Sequence, residues 1–245
     1  MAASSRTLAV VRDNLHATDL YRLAHIEALS VLSRGDLALL ADALVVDTFK
    51  RREIILREEA LASESHILLK GVAVITCLNA RNQRITVAML APGPIPEFPL
   101  LPSSRWDFQC EAYAGCRVAM LGWEQFPFIS AVVSQAVLRH LHQDNLKQWY
   151  RLLLRGSGLL SLNLQERISM ALLELCSDFG IEEARGTLLG VNISHKDLAN
   201  MAGATRPRVT EHLAQLEREH LLIRQGRQMV ICVPGLEQSV GVHVA

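Results

Sequence analysis

Between Ser194 and Arg227 the chain gathers side chains that can bond to base edges and phosphates. Residues 194–223 read SHKDLANMAGATRPRVTEHLAQLEREHLLI. Thr205, Arg206, Arg208 and Thr210 fall in the first turns of one predicted helix, with Glu211 and His212 one turn on. Arginine forks onto O6 and N7 of guanine, and glutamate accepts from N4 of cytosine. Ser194, His195 and Lys196 open the preceding helix, and Arg227 lies in a later turn. Backbone N–H groups at a helix start, with cations nearby, hold phosphates. From Ile193 to Gln228 six bases (Lys196, Arg206, Arg208, Arg218, Arg224, Arg227) face four acids (Asp197, Glu211, Glu217, Glu219), a local charge of +2. A helical hairpin serving protein contact is the competing reading of the same spacing.

These side chains need a frame, and the same stretch supplies one. Ser194 followed by Asp197 fits an N-cap with an acidic first turn. Leu198, Ala199 and Met201 can face a core, and Gly203 suits a left-handed turn. Thr205 can cap the next helix and Pro207 fits its first turn. Val209, Leu213 and Leu216 point inward, with Leu221 and Leu222 closing the unit. The pattern predicts helix, tight glycine turn, helix. Residues 223–233 follow as strand, turn and strand, a β wing. Ahead of it, Ile168, Ala171, Leu172, Leu175 and Phe179 mark an amphipathic helix closed by Gly180, and residues 187–193 read as a short strand.

The rest of the chain changes texture twice. Residues 1–43 read as helical, with Leu8, Val11, Leu15, Leu20, Leu23, Ile26 and Leu29 at roughly helical spacing, and Leu37, Leu39, Leu40 and Leu44 after the Arg34-Gly35 break. From Val45 to Leu121 the texture is β, with short apolar runs, polar turns and prolines crowded at 92–99, which predicts a roll or barrel. From Phe126 to Arg155 only Pro127 interrupts a helical pattern, giving a rod of about 43 Å. Ile129, Val133, Ala136, Val137 and Leu141 form its apolar stripe, which returns at Trp149, Leu152 and Leu153. One small domain cannot bury so long a helix, so it bridges two domains or pairs with its own copy. Gly156, Ser157 and Gly158 read as a hinge.

Residues 161–236, with LQERISMALLELCSDFG and then HKDLANMAGATRPRVTEHLAQLEREHLLIRQGRQMVI, resemble the C-terminal winged helix of the Crp/Fnr family of bacterial transcription regulators. The order β-roll, long helix, winged helix matches as well. The resemblance implies an α+β chain: an effector-sensing, cyclic-nucleotide-binding-like β-roll with N-terminal helices over 1–125, a dimerisation helix over 126–155 and a winged helix-turn-helix over 156–245. It implies a homodimer reading a roughly two-fold symmetric double-stranded DNA site, with RNA polymerase a candidate partner. Arg206 becomes the family's recognition arginine. Glu211 departs from the many members that carry arginine there, so their half-site sequence does not transfer.

The sensor departs further. The family's cyclic-nucleotide cassette is Gly-Glu, then Arg-Ser or Arg-Thr some ten residues later, the arginine pairing with phosphate and the glutamate with ribose. Glu97 sits at the glutamate position, but Pro96 replaces the glycine. The Arg-Ser pair falls on Trp106-Asp107, with Arg105 one place off, and a one-residue shift on a strand reverses the face. The effector is therefore expected not to be a cyclic nucleotide, and its identity stays open. An iron–sulfur cluster needs four grouped thiolates; Cys77, Cys110, Cys116, Cys176 and Cys232 are dispersed. Haem has candidate axial ligands in His66, Cys77, Met89, Cys110, His140 and His142, and no spacing selects among them. A small apolar molecule or no ligand stands beside it. The alternatives are a cyclic-nucleotide-responsive regulator and an effector-binding module without DNA binding, though Arg206 with its cap and wing argues against the latter.

Composition sets the outer bounds. The 245 residues are 50% hydrophobic and 20% charged, in the globular range. Lysine plus arginine equals aspartate plus glutamate, so any case for a polyanionic partner is local. The longest uncharged run, Gln125–Leu138, is too short for a membrane span, and the first twenty residues carry four charges where a signal-peptide core would lie. An odd number of cysteines with no close pair fits a reducing cytoplasm and no structural metal site. No GxSxG, HExxH, Walker A or GxGxxG pattern occurs, so no enzyme is expected.

Overall fold

The computed structural model describes residues 16–26, 29–30, 32–57, 64–78, 84–96, 108–122, 135–226 and 228–241. Glu97, Arg105, Trp106, Ile129, Val133 and Arg227 lie outside the described residues, as does the helix expected before residue 16. The side chains of His140, Ala136, Val137 and Leu141 also lie outside, on a helix whose backbone is described.

The N-terminal part is a roll of two four-stranded sheets. One runs β1 (Val45–Phe49), β8 (Cys116–Gly122), β3 (Glu64–Lys70), β6 (Gly93–Pro94); the other runs β2 (Ile54–Arg57), β7 (Phe108–Ala112), β4 (Ala73–Leu78), β5 (Arg84–Leu90). The strand period of two sorts side chains between cores. Leu68 and Val118 face the roll interior with Ile75 and Cys110. Their neighbours Ile67, Leu69 and Ala119 face outward to Leu23 and Leu40, carried by α1 (Ala17–Ala24) and α2 (Arg34–Ala43). Leu39, expected in that stripe, is exposed, because its neighbour Leu40 takes the inward position about 100° round the helix. Arg117 fixes α1 to β8: its Nε donates to both carboxylate oxygens of buried Asp19 at 2.9 Å. Burial pushes the Asp19 carboxyl up, but its hydrogen bond from Arg117 and the His16 amide outweigh this and hold it below its ordinary value.

The long helix α3 spans Gln135–Ser161, 27 residues and about 40 Å. It runs through Gly156-Ser157-Gly158, so the expected hinge is helical and the expected boundary at 155 falls inside the element. The break comes at Leu162–Asn163. There Asn163 Oδ1 accepts from the amides of Gln165 and Glu166, and Glu166 caps the Asn163 amide in return. A capping box contributes about as much as two helical glycines cost, and it decides where the next helix starts. Trp149 packs against the roll core, while Leu146, Tyr150, Leu153 and Leu160 are exposed. Trp149 therefore does not share the stripe expected for it with Leu153.

The C-terminal part follows the predicted order. It comprises α4 (Leu164–Phe179), β9 (Gly180–Glu183), β10 (Gly186–Leu189), α5 (His195–Ala202), α6 (Arg206–Arg218), β11 (Leu222–Gln225), β12 (Gln228–Ile231) and α7 (Val233–Val240). The strand expected over 187–193 ends at Leu189. The sheet runs β11-β12-β10-β9. Ile168, Leu172, Leu198, Leu213, Leu216 and Leu236 form one buried core, and Val74 and Met89 of the roll join it. Strand β4 is thus covered on both faces, which explains why five of its six residues are buried. Among the described residues no helix is long and apolar enough to cross a membrane.

Candidate nucleic-acid interface

The helix-turn-helix is built from local bonds. Ser194 has extended backbone, and its Oγ accepts from the Asp197 amide at 3.1 Å; the Asp197 carboxylate bonds the Ser194 hydroxyl in return. Gly203 closes α5 at φ 59°, the left-handed region where a side chain costs about 1–2 kcal/mol. The Ala204 amide reaches back to the Ala199 carbonyl at 2.8 Å, satisfying an end carbonyl. Thr205 is the N-cap of α6 by backbone geometry, but its hydroxyl makes no capping bond. Pro207 lies in the first turn.

This frame leaves Thr205, Arg206, Arg208, Thr210 and Glu211 exposed on one end of α6. Arg208 Nη1 and Glu211 Oε2 are 3.1 Å apart, with both side chains about two-thirds exposed (63% and 68%). Such a surface pair is worth at most about 1 kcal/mol and exchanges readily for bonds to bases. Thr210 Oγ1 donates to the Arg206 carbonyl at 3.0 Å, so it accepts from His195 Nδ1 at 2.8 Å. That bond ties the start of α5 to the exposed face of α6. Burial lowers the His195 pKa, and the charges of Arg224 and Arg206 lower it further. Lys196 is exposed beside it, and Arg224 in the wing pairs with Glu217 at 2.9 Å.

His212 is the correction. It was expected beside Glu211 on the reading face, but it is buried, with Nε2 at 3.0 Å from Ser169 Oγ of α4. Val209, His212, Leu213 and Leu216 share one helical face, and that face packs on α4. Burial drives the His212 pKa down.

The sensor residues come together less. His66 is buried on β3 in line with Leu68, toward the roll interior. Cys77 and Cys110 are buried too, and burial raises both thiols, disfavouring the thiolate that a metal requires. Met89 points the other way, into the winged-helix core, and His142 is exposed on α3. Among the described residues no three of His, Cys, Asp and Glu are grouped to hold a metal ion.

One contact escaped the sequence reading. Tyr113, after β7, reaches the start of α5: its Oη lies 2.9 Å from the Asn192 carbonyl and 3.1 Å from Asp197 Oδ2, and accepts from the Ser194 amide at 3.2 Å. No local signal marks a partner some 80 residues away.

The sequence pattern of the Crp-like helix-turn-helix domain matches residues 166–238. These residues carry a Crp-like helix-turn-helix domain. The global nitrogen regulator of Nostoc sp. is 26% identical over 196 residues, covering 78% of this chain and 86% of that protein. The HTH-type transcriptional regulator Cmr of Mycobacterium tuberculosis is 25% identical, covering 78% and 74%. The structure of FixK2 from Bradyrhizobium japonicum shares the fold with a TM-score of 0.65 at 20% identity, over 82% of this chain and 98% of that one. Both relatives are named as regulators, and each is matched over roughly three quarters or more of its length.

Proposed function

We propose that the protein is a cytoplasmic homodimer, joined along α3, that reads a two-fold symmetric DNA site and answers to a small effector in its β-roll. The observation that carries this reading is the rigid frame of Ser194, Gly203 and Thr205, which leaves Arg206, Arg208, Thr210 and Glu211 exposed together at the start of α6. A helix presented by its N-terminal end suits the major groove. Ser194, His195 and Lys196, with Arg227 of the wing, supply the phosphate contacts that fix register. RNA polymerase is the further partner of such a regulator. The functional division is roll to about residue 125, connecting helix, then winged helix.

The dimer reading rests on α3. Leu146, Tyr150, Leu153 and Leu160 are exposed at spacings of four, three and seven. At about 100° per residue Leu146 falls about 140° round from Leu141, so this row does not continue the stripe read in the sequence from Ile129, Val133, Ala136, Val137 and Leu141 but is a second apolar row on α3. A solvent-facing apolar row at this period is what a partner helix covers. The effector reading rests on Pro96 and Trp106 at the places where a phosphate cradle would need glycine and arginine. Haem remains one candidate effector, through a roll residue such as His66.

Gel shifts against duplexes selected from genomic DNA, titrated with salt, test the proposal. Counterion release predicts a steep, log-linear fall in affinity between about 50 and 200 mM salt. A selection that enriches no duplex overturns it.

A further inference from the structure

The start of α5 is offered to two partners at once. In the proposed function the Ser194 amide, with His195 and Lys196 beside it, faces a DNA phosphate. In the structure that amide is already taken: it donates to the Tyr113 hydroxyl at 3.2 Å. The phenol belongs to the other half of the molecule, on the turn between β7 and β8. That turn is held firmly, since the amides of Tyr113 and Ala114 both bond the Val72 carbonyl, at 2.9 and 3.2 Å. The approach is also tight at the neighbouring turn. Gly71 has φ 97°, and a Cβ there would lie 2.2 Å from the Gly115 carbonyl oxygen.

We infer that Tyr113 is an intramolecular competitor for DNA: its hydroxyl occupies the phosphate position at the start of α5, so the β-roll and the DNA backbone contend for the same amide. The inference rests on the proposed phosphate role of that helix start. The hydroxyl carries one proton, shared between the Asn192 carbonyl and the Asp197 carboxylate, and accepts from Ser194. A phosphate oxygen makes the same acceptor contact with the amide but carries charge, and a charge-assisted bond is about twice as strong as a neutral one. Around this point lies a cleft of about 720 Å³, lined by Arg51 of the roll and by His195 and Arg224 of the winged helix. An incoming phosphate meets the guanidinium groups of Arg51 and Arg224 once the phenol has moved aside. Arg51 sits 5.9 Å over the Tyr113 ring, so the phenol in place also holds that cation. Release requires only that the phenol leave the amide; the apolar contact of Val74 and Met89 with the winged helix persists.

Competition predicts a sign that a merely supporting tyrosine does not. Tyr113→Phe keeps the ring and its packing and removes the hydroxyl alone. Phosphate contacts are independent of sequence, so the probe is a random-sequence 30-base-pair duplex, followed by fluorescence anisotropy across a salt series. The variant is expected to bind roughly three- to tenfold more tightly than the wild type. Its log-affinity against log-salt slope is expected to match that of the wild type, because the phosphate displaces the phenol in both complexes and a neutral amide releases no counterion. Hydrogen exchange of the 190–197 segment is read on the same proteins without DNA and should quicken in the variant. Unchanged or weaker DNA binding by Tyr113→Phe overturns the competition. Unchanged exchange overturns the contact itself, whatever the DNA result. Failure of both proteins to bind any duplex at low salt overturns the phosphate role of the helix start and the competition with it, and leaves the exchange result to judge the contact alone.

Discussion

Arg206 stands at the first position of α6, exposed and outside every core cluster. Arg206→Ala is therefore expected to leave stability within about 0.5 kcal/mol of the parent. The same change removes a bidentate base contact worth about 1–3 kcal/mol per half-site. Competition gel shifts should show selected and random duplexes bound with nearly equal affinity; retained discrimination would reject the assignment. His212 supports the same helix from behind. The buried imidazole stays neutral in the fold, whereas the unfolded chain takes up protons below the ordinary value of 6.5. Protons bound only by the unfolded state lower stability as pH falls through that value, until the depressed native value is reached. His195 is shifted the same way and adds to the slope. Melting temperature should therefore decline from pH 7 toward pH 5, and less steeply in His212→Gln; an identical slope in the variant would contradict it. The exposure of Arg206, Arg208, Thr210 and Glu211 at the start of α6 was legible in the sequence because caps and turns are local. His212 was not, because its face is set by Ser169 on α4, 43 positions away.

At the scale of elements, the glycine turn, the Ser194 cap and the position of Thr205 at the start of α6 could be read directly, since each is decided within four residues, although the Thr205 hydroxyl makes no capping bond. The join between α3 and α4 could not. Gly156-Ser157-Gly158 looks like a linker, yet it is helical, and its serine bonds the Leu154 carbonyl at 2.9 Å. The stop is set by the capping box of Asn163 and by packing, with Arg151 of α3 bonded to Asp178 of α4 at 2.6 Å. The two faces of α3 were likewise blended in the sequence. Its partition into Trp149 against the roll and Leu146, Tyr150 and Leu153 toward solvent follows from where the roll lies. Leu153→Asp places a charge in the proposed seam while the monomer, in which this side chain is 70% exposed, is left intact. Burying an unpaired carboxylate is strongly unfavourable. Light scattering should then report a monomer or a dimer weakened at least tenfold. A tight dimer would place the partner surface elsewhere.

Taken whole, the molecule joins the β-roll and the winged helix through a shared core, and that joint was invisible in sequence. Val74 and Tyr113 fall within the β texture of residues 45–121, and Met89 stands there only as a candidate haem ligand. Only the three-dimensional approach of the β7–β8 turn to α5 gives them a second role. The chemistry of the sensor, by contrast, was argued from the sequence itself. Trp106 offers no charge-assisted pair for a phosphate where the resemblance would put arginine. Calorimetry should find no micromolar affinity for cyclic AMP or cyclic GMP, and a micromolar dissociation constant would reinstate Arg105 as the phosphate ligand. The shared core also has a consequence during synthesis. The face of the roll that carries Val74 and Met89 is complete long before the helices that cover it leave the ribosome. At about 5–20 residues per second the covering helix α5, which starts 73 residues beyond the end of β8 (195 − 122), follows roughly 4–15 seconds later. For that interval the nascent roll presents an apolar sheet face to the cell, and the binding of early chaperones should be densest on chains stalled between the end of β8 and the start of α5.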